Sequence, residues 1–174
     1  MKKQMQNFED IKEIFNVNVI GTMNVIRFAC KSMLENEKDI TGQRGVIINV
    51  SSVCAFDSYP NVVSFYFTFI NILGLLYFSC AYSATKGAIA SLTLPLAGSF
   101  GENGIRFMCI APGIFDTQMT NSTPEESEAA LNYVPFPKRY GDPLEFGSLV
   151  YHIIENRYLN GEVIRLDGAT RPKL

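Results

Sequence analysis

Apolar residues recur at Ile11, Phe15, Val19, Met23, Ile26 and Cys30, at spacings of four and three. That is the stripe of one amphipathic helix over about 7–34, with a break expected near Asn16–Asn18. A polar stretch, Glu35–Arg44, ends in Gly42-Gln43-Arg44-Gly45 and reads as a loop. Gly45-Val46-Ile47-Ile48-Asn49-Val50-Ser51-Ser52 follows without alternation, which suits a strand covered on both faces, as in a parallel sheet. Tyr82–Phe100 predicts a helix closed by Gly101 and Gly104, in which Pro95 should kink the axis or remove one backbone bond. Ile105–Ala111 is a second apolar strand, stopped by Pro112-Gly113. A short helix over Pro124–Leu131, a longer one from Asp142-Pro143 to about Asn156, and a strand at Glu162–Leu166 complete the pattern.

Helix, strand, helix, strand, helix, strand is the order of crossovers on a parallel sheet. Ligands on such sheets bind at the carboxyl ends of the strands. The candidate places are therefore Ser51-Ser52, Pro112–Thr117 and the residues after Leu166.

Composition narrows the functions such a sheet could serve. The chain has 174 residues, 47% hydrophobic and 18% charged, which excludes disordered and low-complexity classes. Fifteen Lys plus Arg against seventeen Asp plus Glu give a net charge of −2, so direct nucleic-acid binding is not expected. The four cysteines, Cys30, Cys54, Cys80 and Cys109, show no C-x-x-C spacing, and the single histidine, His152, has no cysteine near it. No metal site is expected; the cysteines read as buried free thiols of a reducing compartment. His152, inside the apolar run Leu149–Ile154, reads as a packed residue and not as a base. Residues 1–10 lack the apolar core and cleavage site of a signal peptide.

Chemistry enters at Tyr82-Ser83-Ala84-Thr85-Lys86, which sets a phenol and an ammonium four apart on one helix face. A tyrosine near pKa 10 is a poor acid or base at neutral pH, and a neighbouring cation is expected to bring it toward the working range. Ser52 ends the preceding strand, where its hydroxyl can hold a carbonyl oxygen. Ala111-Pro112-Gly113 ends the next, where backbone can approach a planar ligand. Asn18 sits at the expected helix break, where an amide can bind freed backbone and an ordered water.

Taken in order, Asn16-Val17-Asn18-Val19 with Gly21-Thr22, Ile48-Asn49-Val50-Ser51-Ser52, Tyr82–Lys86 and Ala111-Pro112-Gly113 resemble the short-chain dehydrogenase/reductase family. Pro135–Arg139, Gly141-Asp142-Pro143 and Leu159–Ala169 are similar to a branch acting on 3-hydroxyacyl-CoA thioesters and hydroxysteroids. The resemblance implies an NAD-dependent oxidoreductase in which Tyr82 is the acid/base and Lys86 its electrostatic partner and ribose ligand. Ser52 would orient the substrate oxygen, and Asn18 would anchor the water through which Lys86 exchanges protons. Pro112, Gly113, Phe115 and Thr117 would meet the nicotinamide half of NAD. Ser51 would be a decoy, pointing to the opposite face. A small-molecule substrate (acyl-CoA or steroid), a homotetramer and a mitochondrial location are also implied. The alternative is a non-catalytic scaffold subunit with tRNA-processing protein partners.

Two departures from the family pattern bear on these expectations. No Gly-rich turn between a strand and a helix occurs in the chain, so the pyrophosphate-holding units of about 60–90 residues are expected to be missing. The fold class expected is α/β: a single partial domain over 1–174, the C-terminal part of a Rossmann-type doubly wound parallel sheet. Its first strand should leave an apolar edge open. The second departure is an atypical apolar insertion at 58–79. Asn61–Cys80 has no charged residue and is long enough to span a bilayer, yet it lacks the Lys/Arg flanks that would orient it, so a membrane role is not expected. Its richness in Phe, Ile, Leu, Tyr and Asn reads most simply as translated non-coding sequence, with a bilayer span and a buried hairpin as the other readings.

Overall fold

The computed structural model describes residues 7–57, 75–120, 128 and 130–171. Helix α1 (Phe8–Phe15) is capped by Asn7, whose side chain accepts from the Glu9 amide at 3.1 Å. The chain then widens into one π-helical stretch, Asn16–Gly21, before continuing as α2 (Thr22–Glu35). The expected helix break is thus an in-line widening of the turn, a form that inserts a residue without ending the helix.

Strand β1 (Gly45–Val50) pairs in parallel with β2 (Ile105–Pro112), and β2 with β3 (Val163–Leu166), in the order β1-β2-β3. Between β1 and β2 runs α3 (Leu75–Phe100), and between β2 and β3 runs α4 (Pro143–Glu155). This is a Rossmann-type arrangement of parallel strands and crossover helices. Helix α3 starts seven residues earlier than the expected Tyr82, so the last part of the charge-free run is helix. The rest of that run (61–74) with the insertion's first residues (58–60), and most of the short helix expected over Pro124–Leu131, lie outside the described residues; 128, 130 and 131 are helical. No helix among the described residues is long and apolar enough to cross a membrane.

The central strand carries the core. Ile105, Phe107, Met108, Cys109, Ile110 and Ala111 are fully buried, each large side chain contributing about 1.5–3 kcal/mol. Alternation divides them. Ile105 and Phe107 pack with Ile26, Cys30 and Ala97 of α2 and α3, while Met108 and Ile110 pack with Ile153 of α4. Among the described residues strand β1 has a partner on one side only, and Val50 is 45% exposed on it.

One charge is built into this core. Arg106 is 7% exposed and faces the end of α4. Its guanidinium donates to the carbonyls of Ile153 (3.0 Å), Ile154 (3.1 Å) and Leu159 (2.8 Å) and to Gln43 Oε1 (2.7 Å). The cation thereby satisfies carbonyls that a helix C-terminus leaves without partners, at the negative end of the helix dipole. At the other end of α4, Asp142 and Glu145 form a reciprocal capping box.

Two expectations are corrected here. His152 is exposed on the outer face of α4, its Nε2 3.3 Å from Asn156 Nδ2, because the inward positions of that turn are taken by Leu149, Val150 and Ile153. Of the four free thiols only Cys30 and Cys109 are buried; Cys54 is half-buried and Cys80 exposed. An apolar neighbourhood in sequence did not put them on the inward face.

Candidate active site

The carboxyl ends of β1 and β2 and the middle of α3 converge on one region. Strand β1 leaves the sheet with Ser51, whose amide donates to the Ile110 carbonyl (2.8 Å) and whose hydroxyl donates to the Lys86 carbonyl (2.7 Å). This fixes α3 over the strand end. Ser52, 9% exposed, is extended (φ −163°, ψ 157°) and starts a 3₁₀ turn at Val53–Ala55, its hydroxyl accepting from the Cys54 amide at 3.2 Å. The two serines therefore serve different partners: Ser51 grips the helix backbone, and Ser52 turns toward the Tyr82 phenol, with which its hydroxyl is hydrogen-bonded.

Tyr82 and Lys86 share the face of α3 that meets this turn. The Lys86 ammonium donates to the Val50 carbonyl at 3.1 Å and lies 5.6 Å from the centre of the Tyr82 ring. Burial lowers the Lys86 pKa from its ordinary value, the Cys109 and Cys54 thiols opposing the shift. Burial also pushes the Tyr82 phenol up to about 12, the Cys54 side chain adding to the rise and the Ser52 hydroxyl working against it. The expectation that the cation would bring the phenol into the working range is corrected. Desolvation disfavours the phenolate, and the bond the ammonium makes here goes to a carbonyl of β1.

Asn18, in the π-helical stretch, donates from Nδ2 to Thr85 Oγ1 at 3.1 Å, and Thr85 donates to the Tyr82 carbonyl at 2.7 Å. Thr85 is fully buried. It ties the widened turn to the helix that carries Tyr82 and Lys86. The sequence alone did not single it out, although a hydroxyl immediately before Lys86 was its signal.

Beyond β2, the Gly113 amide donates to the Leu166 carbonyl at 2.9 Å. A Cβ at Gly113 would lie 2.9 Å from Asp167 Cα, so only glycine lets the two strand ends pass this closely. Phe115 bridges to Gly141, and its ring meets Phe146 edge-on at 5.9 Å. Its backbone is therefore held against Gly141, just before α4, while its ring packs on α4. Thr117 is exposed, its amide donating to Thr120 Oγ1 at 2.9 Å. Among the described residues no cluster of His, Cys, Asp and Glu could hold a metal ion.

Arg165 and Asp57 were also missed. They form an ion pair between β3 and the end of the Ser52 turn. The signal was a charge inside the apolar run Val163-Ile164-Arg165-Leu166, because a cation in a strand must find partners.

Comparison with known proteins bears on this region. The model of the family described as Enoyl-(Acyl carrier protein) reductase matches residues 3–169. Over 171 residues the chain is 47% identical to 3-hydroxyacyl-CoA dehydrogenase type-2 of Bos taurus, covering 98% of this chain and 59% of that protein. The human protein of the same name is 46% identical over the same length. Among solved structures, 3-hydroxyacyl-CoA dehydrogenase type-2 from Mycobacterium avium matches with a TM-score of 0.81 at 29% identity, covering 96% of this chain and 58% of that one. The chain thus spans about three-fifths of the length of the curated relatives it matches.

Proposed function

This chain belongs to the short-chain dehydrogenase/reductase family, and from that premise we propose that it interconverts a secondary alcohol and a ketone with a nicotinamide dinucleotide, the substrate being a 3-hydroxyacyl-CoA or a hydroxysteroid. The observation that carries this reading is the meeting of the Ser52 hydroxyl, the Tyr82 phenol and the Lys86 ammonium at the end of β1. NAD is the nucleotide that the resemblance favours, in a mitochondrial setting.

The donors present suit the ribose and nicotinamide half of such a nucleotide, while no Gly-rich turn for its pyrophosphate occurs in the 174 residues. Tyr82 and Lys86 would supply O–H and N–H groups for ribose hydroxyls, and Pro112, Gly113, Phe115 and Thr117 would supply backbone beside a flat ring. Bound there, such a nucleotide would supply the hydride chemistry at the carbinol carbon. The Ser52 hydroxyl holds the substrate oxygen beside the Tyr82 phenol. Tyr82 takes the alcohol proton as the carbonyl forms and gives it back in the reverse direction. Lys86, one turn from Tyr82 on the same face, supplies N–H groups to the ribose, and Asn18, through the widened turn of the first helix, holds the water by which Lys86 exchanges its proton.

Replacing Tyr82 by Phe tests the reading. In the full 174-residue chain, NAD reduction with 3-hydroxybutyryl-CoA should fall by about 10²–10⁴-fold, with the circular dichroism unchanged. A Tyr82→Phe chain that turns over at the parental rate, or a parent chain that is inert with NAD, overturns it; inertness with retained assembly would point to the non-catalytic scaffold.

A further inference from the structure

The turn that carries Ser52 is a continuous hydrogen-bonded unit. Ala55 donates its amide to the Ser52 carbonyl, and Phe56 and Asp57 both donate to the Val53 carbonyl, each at 3.0 Å. One end of the unit is held by Ser51 on the Ile110 and Lys86 carbonyls. The other end is Asp57, which no strand among the described residues holds. What it has is Arg165, whose guanidinium pairs with the Asp57 carboxylate and stands 5.7 Å from the Phe56 ring centre.

Arg165 is itself fixed. Its Nε donates to Asp167 Oδ2 at 2.7 Å, and Nη2 also donates to the Thr170 carbonyl at 3.2 Å. Asp167 accepts in addition from Arg171 (2.9 Å) and from the Ala169 amide (3.0 Å). Two cations and two carboxylates balance within one cluster. The Asp57, Arg165 and Asp167 side chains are 18%, 21% and 6% exposed, so the pairing is far less screened than on an open surface. The guanidinium fork reaches both carboxylates at once, which a lysine ammonium on a flexible stem does less well.

We propose that Arg165 is a positioning residue of the candidate site, holding the Ser52–Asp57 turn against the end of β3 so that the Ser52 hydroxyl stays on the Tyr82 phenol. This rests on the function proposed above, but its test does not need turnover. Cys54 lies in the middle of the turn, half-buried, where burial raises its thiol pKa. Its alkylation rate therefore reports the turn's position.

The experiment treats the full chain with iodoacetamide at pH 8 and follows each cysteine peptide by mass spectrometry. In the parent, exposed Cys80 should react first and Cys54 far behind it. Arg165→Met and, independently, Arg165→Gln should each raise the Cys54 rate at least tenfold while buried Cys30 and Cys109 keep theirs; both leave in place the Asp57 carboxylate, which raises the Cys54 pKa and by itself would slow the reaction. Arg165→Lys, which keeps a cation facing Asp57, should recover part of the protection. An unchanged Cys54 rate overturns the proposal. So does a rise shared equally by Cys30 and Cys109 in both variants, since the pair would then only stabilise the fold. Turnover with NAD, measured alongside, judges the proposed function separately: an inert parent with the expected Cys54 pattern fails that reading and still shows Arg165 holding the turn.

Discussion

Replacing Arg106 by Met should cost more than any other single surface-distal charge change in this chain. The side chain is 7% exposed and no carboxylate faces it among the described residues; its partners are three carbonyls at and beyond the end of α4 and the Gln43 amide oxygen, all within 3.1 Å, plus a longer approach to the Asn156 carbonyl at 3.4 Å. Hydrogen bonds from a charged donor contribute about 1.5–3 kcal/mol each, but burying the cation costs several kcal/mol in return. Burial accordingly lowers the Arg106 pKa, with nearby Arg157 adding to the shift. Methionine fills most of the volume and recovers the desolvation cost, yet it leaves the Ile153, Ile154 and Leu159 carbonyls without their donor. At about 1–1.5 kcal/mol per stranded carbonyl the net loss is about 3–5 kcal/mol.

Urea denaturation followed by circular dichroism reads this directly. With an m-value of about 2 kcal/mol/M, a loss of 4 kcal/mol lowers the midpoint by about 2 M. Arg106→Lys should fall between parent and Met, because one ammonium cannot reach acceptors on both sides of the helix end. Arg157→Met is the control: that arginine is about half exposed, 3.4 Å from Asp39, and such a pair contributes about 0–1 kcal/mol. A loss below about 1 kcal/mol for Arg106→Met, or equal losses at positions 106 and 157, would refute the account of a cation capping α4 from within the core.

Two smaller perturbations test the strand ends and the α4 cap. Gly113→Ala sets a Cβ 2.9 Å from Asp167 Cα, and backbone there has to shift, so the urea midpoint should report a loss of about 1–3 kcal/mol; a neutral result means the strand ends are not in close contact. Glu145 is held down to about pKa 2, first by its hydrogen bond with Arg139 and then by the Asp142 amide. A depressed carboxylate contributes its stability above the unfolded value near 4.5 and loses it as pH falls toward 2. Glu145→Gln should therefore flatten the acid limb of a stability–pH curve between pH 4.5 and 2, while an unchanged limb would remove the capping box from the account.

The elements were legible because their patterns were local. The apolar run Gly45–Val50 read correctly as a parallel strand, although only Asn49 of it is buried and Val50 is exposed, and Asp142-Pro143 carried a helix start in its own chemistry, cap and first turn together. The candidate site was legible only as a set of residue types at strand ends. Its contacts were not, because they depend on chain separated by tens of residues: Asn18 meets Thr85, and Asp57 meets Arg165, across 67 and 108 positions. Charges inside apolar strands, Arg106 and Arg165, announced that partners had to exist without saying where. The four cysteines mislead for a related reason, since an apolar neighbourhood does not say which way one side chain faces. His152 repeats the lesson on α4.

The Tyr82 phenol is where local and long-range effects compete most openly, and its titration decides between them. Position 86 alone argues for a lowered pKa, because a cation one turn away favours phenolate. The fold argues the other way: burial is the largest influence and sets the phenol at about 12. At pH 8 about one molecule in ten thousand then carries phenolate, so the phenol is ready as an acid and poor as a base until further positive charge arrives. Because the folded value lies above the unfolded value near 10, the neutral phenol contributes roughly 3 kcal/mol below pH 10, lost as pH rises from 10 to 12. Stopped-flow pH jumps read at 295 nm, before alkaline unfolding sets in, give the phenolate midpoint as the difference between the parent and Tyr82→Phe. The expected midpoint is near 12 for the chain alone and at least one pH unit lower with saturating NAD, whose oxidised ring would bring a positive charge beside Tyr82 if it binds as proposed. A midpoint near 10 without nucleotide refutes the dominance of burial over the Lys86 cation. A midpoint near 12 that NAD leaves unmoved refutes the placing of the nucleotide against Tyr82, and with it the hydride-transfer reading of this strand end.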